Sequence, residues 1–99
     1  MNEKDKRLQD FVDGIAHNLL SVPVEEWEER FEYGDGTTTI DEVRFHYFRH
    51  SPADGTHRIV IEEDQKLFLG FYKKYLSGVI WSPNETTRRM TDDELGDYD

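Results

Sequence analysis

The chain has 99 residues, of which 35% are apolar and 13% aromatic, and its formal net charge is −10. This length supports one small hydrophobic core and leaves no room for an additional catalytic domain. The absence of cysteine excludes disulfides, thiol nucleophiles and thiolate metal sites. The acidic balance argues against direct binding of nucleic acid, because phosphate contacts require a basic surface.

The negative charge is concentrated in two short blocks, while the other 79 residues carry 11 acidic and 11 basic side chains. The first block comprises Glu25, Glu26, Glu28, Glu29, Glu32 and Asp35, with Arg30 as its one basic residue. The second comprises Asp92, Asp93, Glu94, Asp97 and Asp99. Acidity that reflects a high-salt habitat would be spread over the surface, so the blocks favour a basic partner surface.

The N-terminal residues from Met1 to Arg7 are polar and charged, unlike the apolar core of a secretion signal. No apolar run approaches the roughly 18 residues that a membrane-spanning helix needs. We therefore expect a cytoplasmic protein that does not bind a membrane.

An amphipathic helix is predicted from Glu3 to Leu20, because its apolar residues recur at steps of three and four. Asn2 is its expected N-cap, and Pro23 marks the exit. The segment from Val24 to Tyr33 fits both strand and helix spacing, and we interpret it as a short helical turn that leads into a strand. Trp27 and Tyr33 fit a core position as well as an anchor for a partner.

Three strands are expected next. A turn at Gly34–Gly36 precedes β-branched residues, and Val43, Phe45 and Tyr47 are expected on the inward face of the second strand. A further turn leads to a third strand at His57–Ile61.

A second helix is predicted after Asp64, with Gly78 at its end. Its apolar stripe comprises Leu67, Phe68, Phe71, Tyr72, Tyr75 and Leu76. Whether this stripe faces the sheet or a second copy stays open at this point, and exposure of its aromatic residues would indicate a homodimer.

The predicted fold class is α+β, a three-stranded antiparallel meander flanked by two amphipathic helices in the order α-β-β-β-α. We expect one domain over residues 1–83. Residues 84–99 lose apolar content and are expected to form a flexible acidic tail.

No constellation of catalytic, cofactor-binding or metal-binding residues is found in the sequence. His46 and His50 would lie roughly 13 Å apart on a strand, too far to share one metal ion. The clustered carboxylates lack a nucleophile, a phosphate-binding loop or metal-ligand spacing, so we expect a protein that is not an enzyme. Protein recognition remains, and the candidate partner-binding residues are Glu25, Glu26, Glu28, Glu29, Glu32, Tyr33 and Asp35.

The segment from Ile15 to Trp81 resembles the YezG-like family of bacterial immunity proteins. The resemblance rests on an amphipathic helix, the run Pro23-Val24-Glu25-Glu26-Trp27-Glu28, the aromatic strand Phe45-His46-Tyr47-Phe48, the predicted second helix and the later Trp81. It implies an α/β antitoxin that silences the C-terminal nuclease domain of an LXG-type toxin. The compact segment after the third strand and the acidic tail depart from the family pattern.

The resemblance and the acidic blocks together predict an immunity or antitoxin protein that occludes the basic cleft of a cognate toxin, a nuclease. The alternative is a phage-type acidic DNA mimic that inhibits a restriction or CRISPR effector. A third class is an enzyme or small-ligand binder that uses the aromatic face of the sheet.

Overall fold

Five antiparallel strands follow one another across a single sheet in the computed structural model, which describes residues 2–99. Their order in the sheet, β1-β2-β3-β4-β5, is their order in the chain. The helices are α1 (Glu3–Leu19), α2 (Val24–Arg30) and α3 (Asp92–Leu95). The strands are β1 (Gly34–Ile40), β2 (Val43–His50), β3 (His57–Lys66), β4 (Tyr72–Trp81) and β5 (Arg88–Arg89). The α+β class is confirmed, whereas the expected two helices and three strands describe only part of the fold.

The first helix ends one residue before the predicted position. The side chain of Asn2 accepts a hydrogen bond from the backbone N–H of Asp5, so Asn2 is the N-cap. The buried stripe comprises Val12, Ile15, Ala16 and Leu19. It packs against β3 and β4. We call the side of the sheet that α1 covers the helix face, and the opposite side the outer face.

The ambiguous segment after Pro23 is helical over α2 and extended at Phe31. Trp27 is fully buried, with 0% of its surface exposed, and Phe31 is buried beside it. Both belong to the core of the helix face. Trp27 is therefore a core residue and does not anchor a partner.

The first hairpin turns at a different place from the one predicted. Gly34 and Gly36 lie within β1, and the chain reverses at Asp41 and Glu42, which both have positive φ. Gly36 pairs with Tyr47, and a Cβ there would lie 2.5 Å from the Tyr47 hydroxyl oxygen. The glycine that suggested a turn makes room for an aromatic ring.

The predicted second helix is wrong. Residues 57–81 form a long hairpin of β3 and β4 that turns at Leu69 and Gly70, both with positive φ. The side chains of β4 alternate between the two faces of the sheet, since Tyr75 and Val79 pack in the core of the helix face, and Leu76 and Ile80 pack on the outer face. The helical stripe that the sequence suggested would require Leu67 to Tyr72 to be packed, yet most of that segment is exposed.

The segment expected to be a flexible tail contributes two elements to the fold. Arg88 and Arg89 pair with Ile80 and Val79 of β4. A capping box between Thr91 and Glu94 begins α3. The apolar residues Met90, Leu95 and Tyr98 pack with Val60, Ile80, Phe48 and Leu76 on the outer face.

Of the three β2 residues expected inward, Phe45 and Tyr47 are buried, whereas Val43 is partly exposed. The ring of Phe31 contacts Tyr47 edge-on, with the ring centroids 4.9 Å apart. The hydroxyl of Tyr47 accepts a hydrogen bond of 2.8 Å from the backbone N–H of Glu32. These contacts fix the end of α2 against the sheet.

Replacing Gly78 by Ala should destabilise the fold. A Cβ at this position would lie 2.7 Å from the backbone oxygen of Ile59 and 2.7 Å from the sulfur of Met90. We expect a loss of about 1–3 kcal/mol in the free energy of unfolding, measured by urea denaturation. Gly14→Ala is the matched control. Gly14 is exposed in α1 with no atom near its would-be Cβ, so this substitution should stabilise by up to about 1 kcal/mol. Equal effects of the two changes would contradict the packing described.

Ionisation of Glu94 should make the stability depend on pH. Its two hydrogen bonds to Arg88, supported by those from Thr91, lower the pKa of the Glu94 carboxyl from 4.5 to about 2. Because this pKa is lower in the folded chain than in the unfolded one, the stabilisation is present above about pH 4.5 and is lost toward about pH 2.

We therefore expect Glu94→Gln to be less stable than the wild type near neutral pH, with a difference that shrinks as the pH falls through this window. Urea denaturation over a pH series measures it. A difference that does not change with pH would contradict the assignment.

Candidate interaction surface

The exposed side of α2 carries most of the first acidic block. Glu25, Glu26 and Glu29 are exposed, and Glu32 follows just after the helix. We call these four carboxylates the acidic surface. Glu26 forms an exposed ion pair of 3.5 Å with Arg30, which lies one turn further along the helix. The acidic surface thus faces solvent while the opposite side of the helix packs on the sheet.

The buried Arg49 of β2 holds α2 in place. Only 2% of its surface is exposed. Its Nη1 donates to the backbone oxygen of Trp27 at 3.2 Å and to that of Phe31 at 2.9 Å. These carbonyls lie in the last turn of α2 and at its C-cap, where the negative end of a helix favours a cation. The guanidinium therefore satisfies the helix end from inside the protein.

The other end of the guanidinium reaches two of the predicted partner-binding residues. Arg49 Nη2 donates to Glu28 Oε1 at 2.7 Å and to the Tyr33 hydroxyl at 3.1 Å. Its carbon lies 4.1 Å from the centre of the Tyr33 ring, a cation–π contact. The hydrogen bond and charge of Arg49 lower the pKa of the Glu28 carboxyl. One carboxylate oxygen of Glu28 is thus already bonded to Arg49 within the chain.

Tyr33 is exposed over 56% of its surface even though its ring lies on Arg49. One side of the ring is fixed and much of the rest faces solvent. This is the arrangement of a rigid aromatic side chain that a partner could contact at low entropic cost. Tyr33 stays a candidate contact residue.

Within residues 2–99, no ion pair is formed by Glu25, Glu29, Glu32 or Asp35. Asp35, however, does not join the acidic surface. It pairs with Phe48 in the β1–β2 register and shares the outer face with Phe48 and Val60. The structure therefore groups the carboxylates of residues 25–32 and separates Asp35 from them.

The second acidic block lies on the other side of the sheet from α2. Asp92, Asp93 and Glu94 form the first turn of α3, where carboxylates oppose the positive end of a helix. Glu94 is held by Arg88 at 2.8 Å. Part of this block therefore stabilises its own helix, and the two blocks do not form one continuous surface.

The two histidines of β2 contact hydroxyl groups of the chain. His46 and His50 both lie on β2, as the strand prediction required. The His46 ring is 2.9 Å from the Thr37 hydroxyl, and the His50 ring is 2.7 Å from that of Tyr98. Among residues 2–99, no group of three or more metal-ligating side chains converges.

Sequence reasoning missed Arg49. The signal was its place in the alternation of Phe45, Tyr47 and Arg49, which puts an arginine on the inward face of a strand. A buried arginine requires acceptors, and the nearest concentrated source in the sequence was the acidic block around Glu28. The pairing could have been predicted from these two observations.

Comparison of the chain with protein-family models, with curated proteins and with solved structures finds no match. The resemblance to the YezG-like family therefore stays a prediction. None of the helices in residues 2–99 combines the length and apolar character needed to traverse a membrane.

Substitution of Arg49 by Met should loosen α2. The change leaves the Phe31 carbonyl without its buried donor and removes the contacts to Glu28 and Tyr33, so we expect a loss of about 2–3 kcal/mol in unfolding free energy. Arg44→Met is the matched control, since Arg44 is exposed on the same strand and should change stability by about 0.5 kcal/mol at most. Urea denaturation compares them, and similar losses in both variants would refute the role of Arg49.

Proposed function

We propose that this chain is an immunity or antitoxin protein that binds the basic active-site cleft of a cognate toxin, a nuclease, through the acidic surface on α2. The observation that carries the proposal is a set of exposed carboxylates without a cationic partner among residues 2–99. These are Glu25, Glu29 and Glu32. A basic protein surface supplies the charge that they lack.

The acidic surface suits fast and specific recognition because its backbone is fixed before binding. Trp27 is buried beneath α2, and Arg49 bonds two carbonyls at its end. A pre-organised surface loses little conformational entropy on association. Concentrated negative charge also steers a basic partner and raises the association rate at low ionic strength.

Inhibition would require no chemistry by this chain. Carboxylates placed in a cleft that binds phosphates occupy the positions of the substrate backbone and exclude it. Tyr33, fixed on Arg49 beside Glu28, adds an aromatic contact. The resemblance to the YezG-like family supports this role, since its members are immunity proteins.

A phage-type DNA mimic that inhibits a restriction or CRISPR effector is the alternative. A mimic of a duplex benefits from a continuous band of negative charge. The two acidic blocks lie on opposite faces of the sheet, which favours a local contact through α2. The identity of the captured partner distinguishes the two functions.

Charge reversal on α2 tests the proposal. We expect Glu25→Lys/Glu29→Lys to abolish the salt-sensitive capture of a basic protein from lysate of the source cell. The matched control is Asp93→Lys/Asp97→Lys, which changes the net charge equally on the exposed part of the second block. It should retain capture. Mass spectrometry identifies the protein, and nuclease assays then test stoichiometric inhibition by the wild-type chain.

Three results would contradict the proposal: capture that is insensitive to salt, equal loss of capture in both variants, or a captured protein whose activity the wild-type chain leaves unchanged. Since both variants carry the same net charge, equal loss would indicate general electrostatics and not the acidic surface on α2.

A further inference from the structure

The turn between β3 and β4 exposes a concentrated set of apolar side chains. We call it the hairpin tip; it comprises Leu67, Phe68, Leu69, Phe71 and Tyr72. Phe68 and Leu69 are 81% and 84% exposed. We propose that the hairpin tip is a self-association surface, at which the tips of two copies of this chain pack against each other in a symmetric dimer.

Leucine is an unfavourable residue for the conformation of this turn. Leu69 (φ 61°) and Gly70 (φ 80°) form a two-residue turn in which both residues have positive φ. Asn-Gly is the preferred pair for such a turn, because asparagine tolerates the left-handed region better than leucine does. An exposed leucine therefore costs stability at the turn and gains no packing within the chain. Such a choice points to a contact outside the chain.

The tip is presented at the end of a supported ribbon. The β2–β3 pairing ends at His46 and Glu62, so the rest of the hairpin extends beyond the region that is paired with β2. At the base of this extension, the Tyr75 hydroxyl donates to Asp5 of α1, and Lys73 forms an ion pair of 2.9 Å with Asp5. The base is held by α1, while the tip is exposed within the part of the chain that the structure describes.

The exposed area approaches what a stable dimer needs. At about 150–250 Å² for each large side chain, the exposed fractions of the five tip residues amount to roughly 600 Å². A standard interface buries about 800 Å² per partner. Phe71 and Tyr72 face opposite sides of the ribbon, so two tips packed together would bury part of this area, and adjoining aliphatic stems and strand edges would supply the remainder.

The charge distribution favours a second copy as the occupant. The tip from Leu67 to Tyr72 contains no charged residue. Of the lysines that flank it, Lys73 pairs with Asp5 and Lys74 with Glu62, whereas Lys66 is exposed. The net charge of −10 arises from the two blocks outside the tip. Two copies can thus meet here without bringing acidic blocks together, whereas an anionic bilayer would repel the chain as a whole.

This dimer would leave the acidic surface accessible. Arg49, which holds α2, lies opposite Ile59 of β3. From Ile59 to Lys66 the strand extends about 23 Å at roughly 3.3 Å per residue. Self-association at the tip and partner binding at α2 therefore use separate ends of the molecule, and failure of one leaves the other intact.

Sedimentation velocity over a concentration series tests the proposal. We expect the wild-type chain to be dimeric at about 100 μM, a concentration at which an interface of this size associates even with micromolar affinity. Leu69→Asn should weaken dimerisation at least about 10-fold while maintaining or raising the urea midpoint of the fold, because it relieves the turn. Phe68→Ser/Leu69→Asn should be monomeric. The matched control Val43→Thr, at a half-exposed apolar residue outside the tip, should dimerise as the wild type does.

A wild-type chain that stays monomeric at about 100 μM would overturn the proposal, as would an unchanged dimerisation constant in Phe68→Ser/Leu69→Asn. Co-sedimentation with phosphatidylcholine–phosphatidylglycerol vesicles tests whether the hairpin tip binds a membrane surface instead. Binding by the monomeric wild type that is lost in the double variant would overturn self-association and assign the tip to a membrane surface.

Discussion

A single buried guanidinium connects the candidate interaction surface to the core. Arg49 reaches two backbone carbonyls of α2, the carboxylate of Glu28 and the hydroxyl of Tyr33. Burial of a charge is unfavourable unless its donors are satisfied, so the sheet and α2 require each other at this point. The position and rigidity of the acidic surface depend on this contact, and the charge that remains on α2 after Glu28 is paired is exposed to solvent.

Local patterns predicted the parts of the fold that local physics determines. The α1 stripe has a strict helical period, and β2 alternates clearly, so both were identified from sequence. Residues 64–78 were assigned to a helix because Leu67, Phe68 and Phe71 fit helical spacing. The decisive feature was the turn at Leu69 and Gly70, where leucine gives no turn signal. Aromatic side chains that are not buried within the chain mimic a core stripe, and periodicity cannot distinguish the two.

The charged residues of the candidate site could be predicted from the sequence, but which of them lie together in the structure could not. The carboxylates of Glu25, Glu29 and Glu32 could be read directly from sequence. That Glu28 is paired depends on how α2 packs over Arg49, and that Asp35 lies on the outer face depends on the β1–β2 register. A register error of one residue moves a side chain to the other face of the sheet. Because the turn was predicted at Gly34–Gly36, the β1–β2 register could not be predicted. The contribution of residues 88–98 was hidden because a two-residue strand has too little sequence to show a period.

The agreement between strand order and chain order has a consequence for how the chain folds. Each strand pairs with its sequence neighbour, so the sheet can grow by adding one hairpin at a time with short loop closures. Packing of α1 on the sheet, by contrast, requires contacts between residues far apart in the chain. Gln9 donates a hydrogen bond to the carbonyl of Leu76, 67 residues away, and Asp5 accepts one from Tyr75, 70 residues away. During synthesis, α1 leaves the ribosome well before β4 exists. Its apolar stripe must then remain without its final partner until the β3–β4 hairpin is complete, which makes that interval the most vulnerable to misassembly.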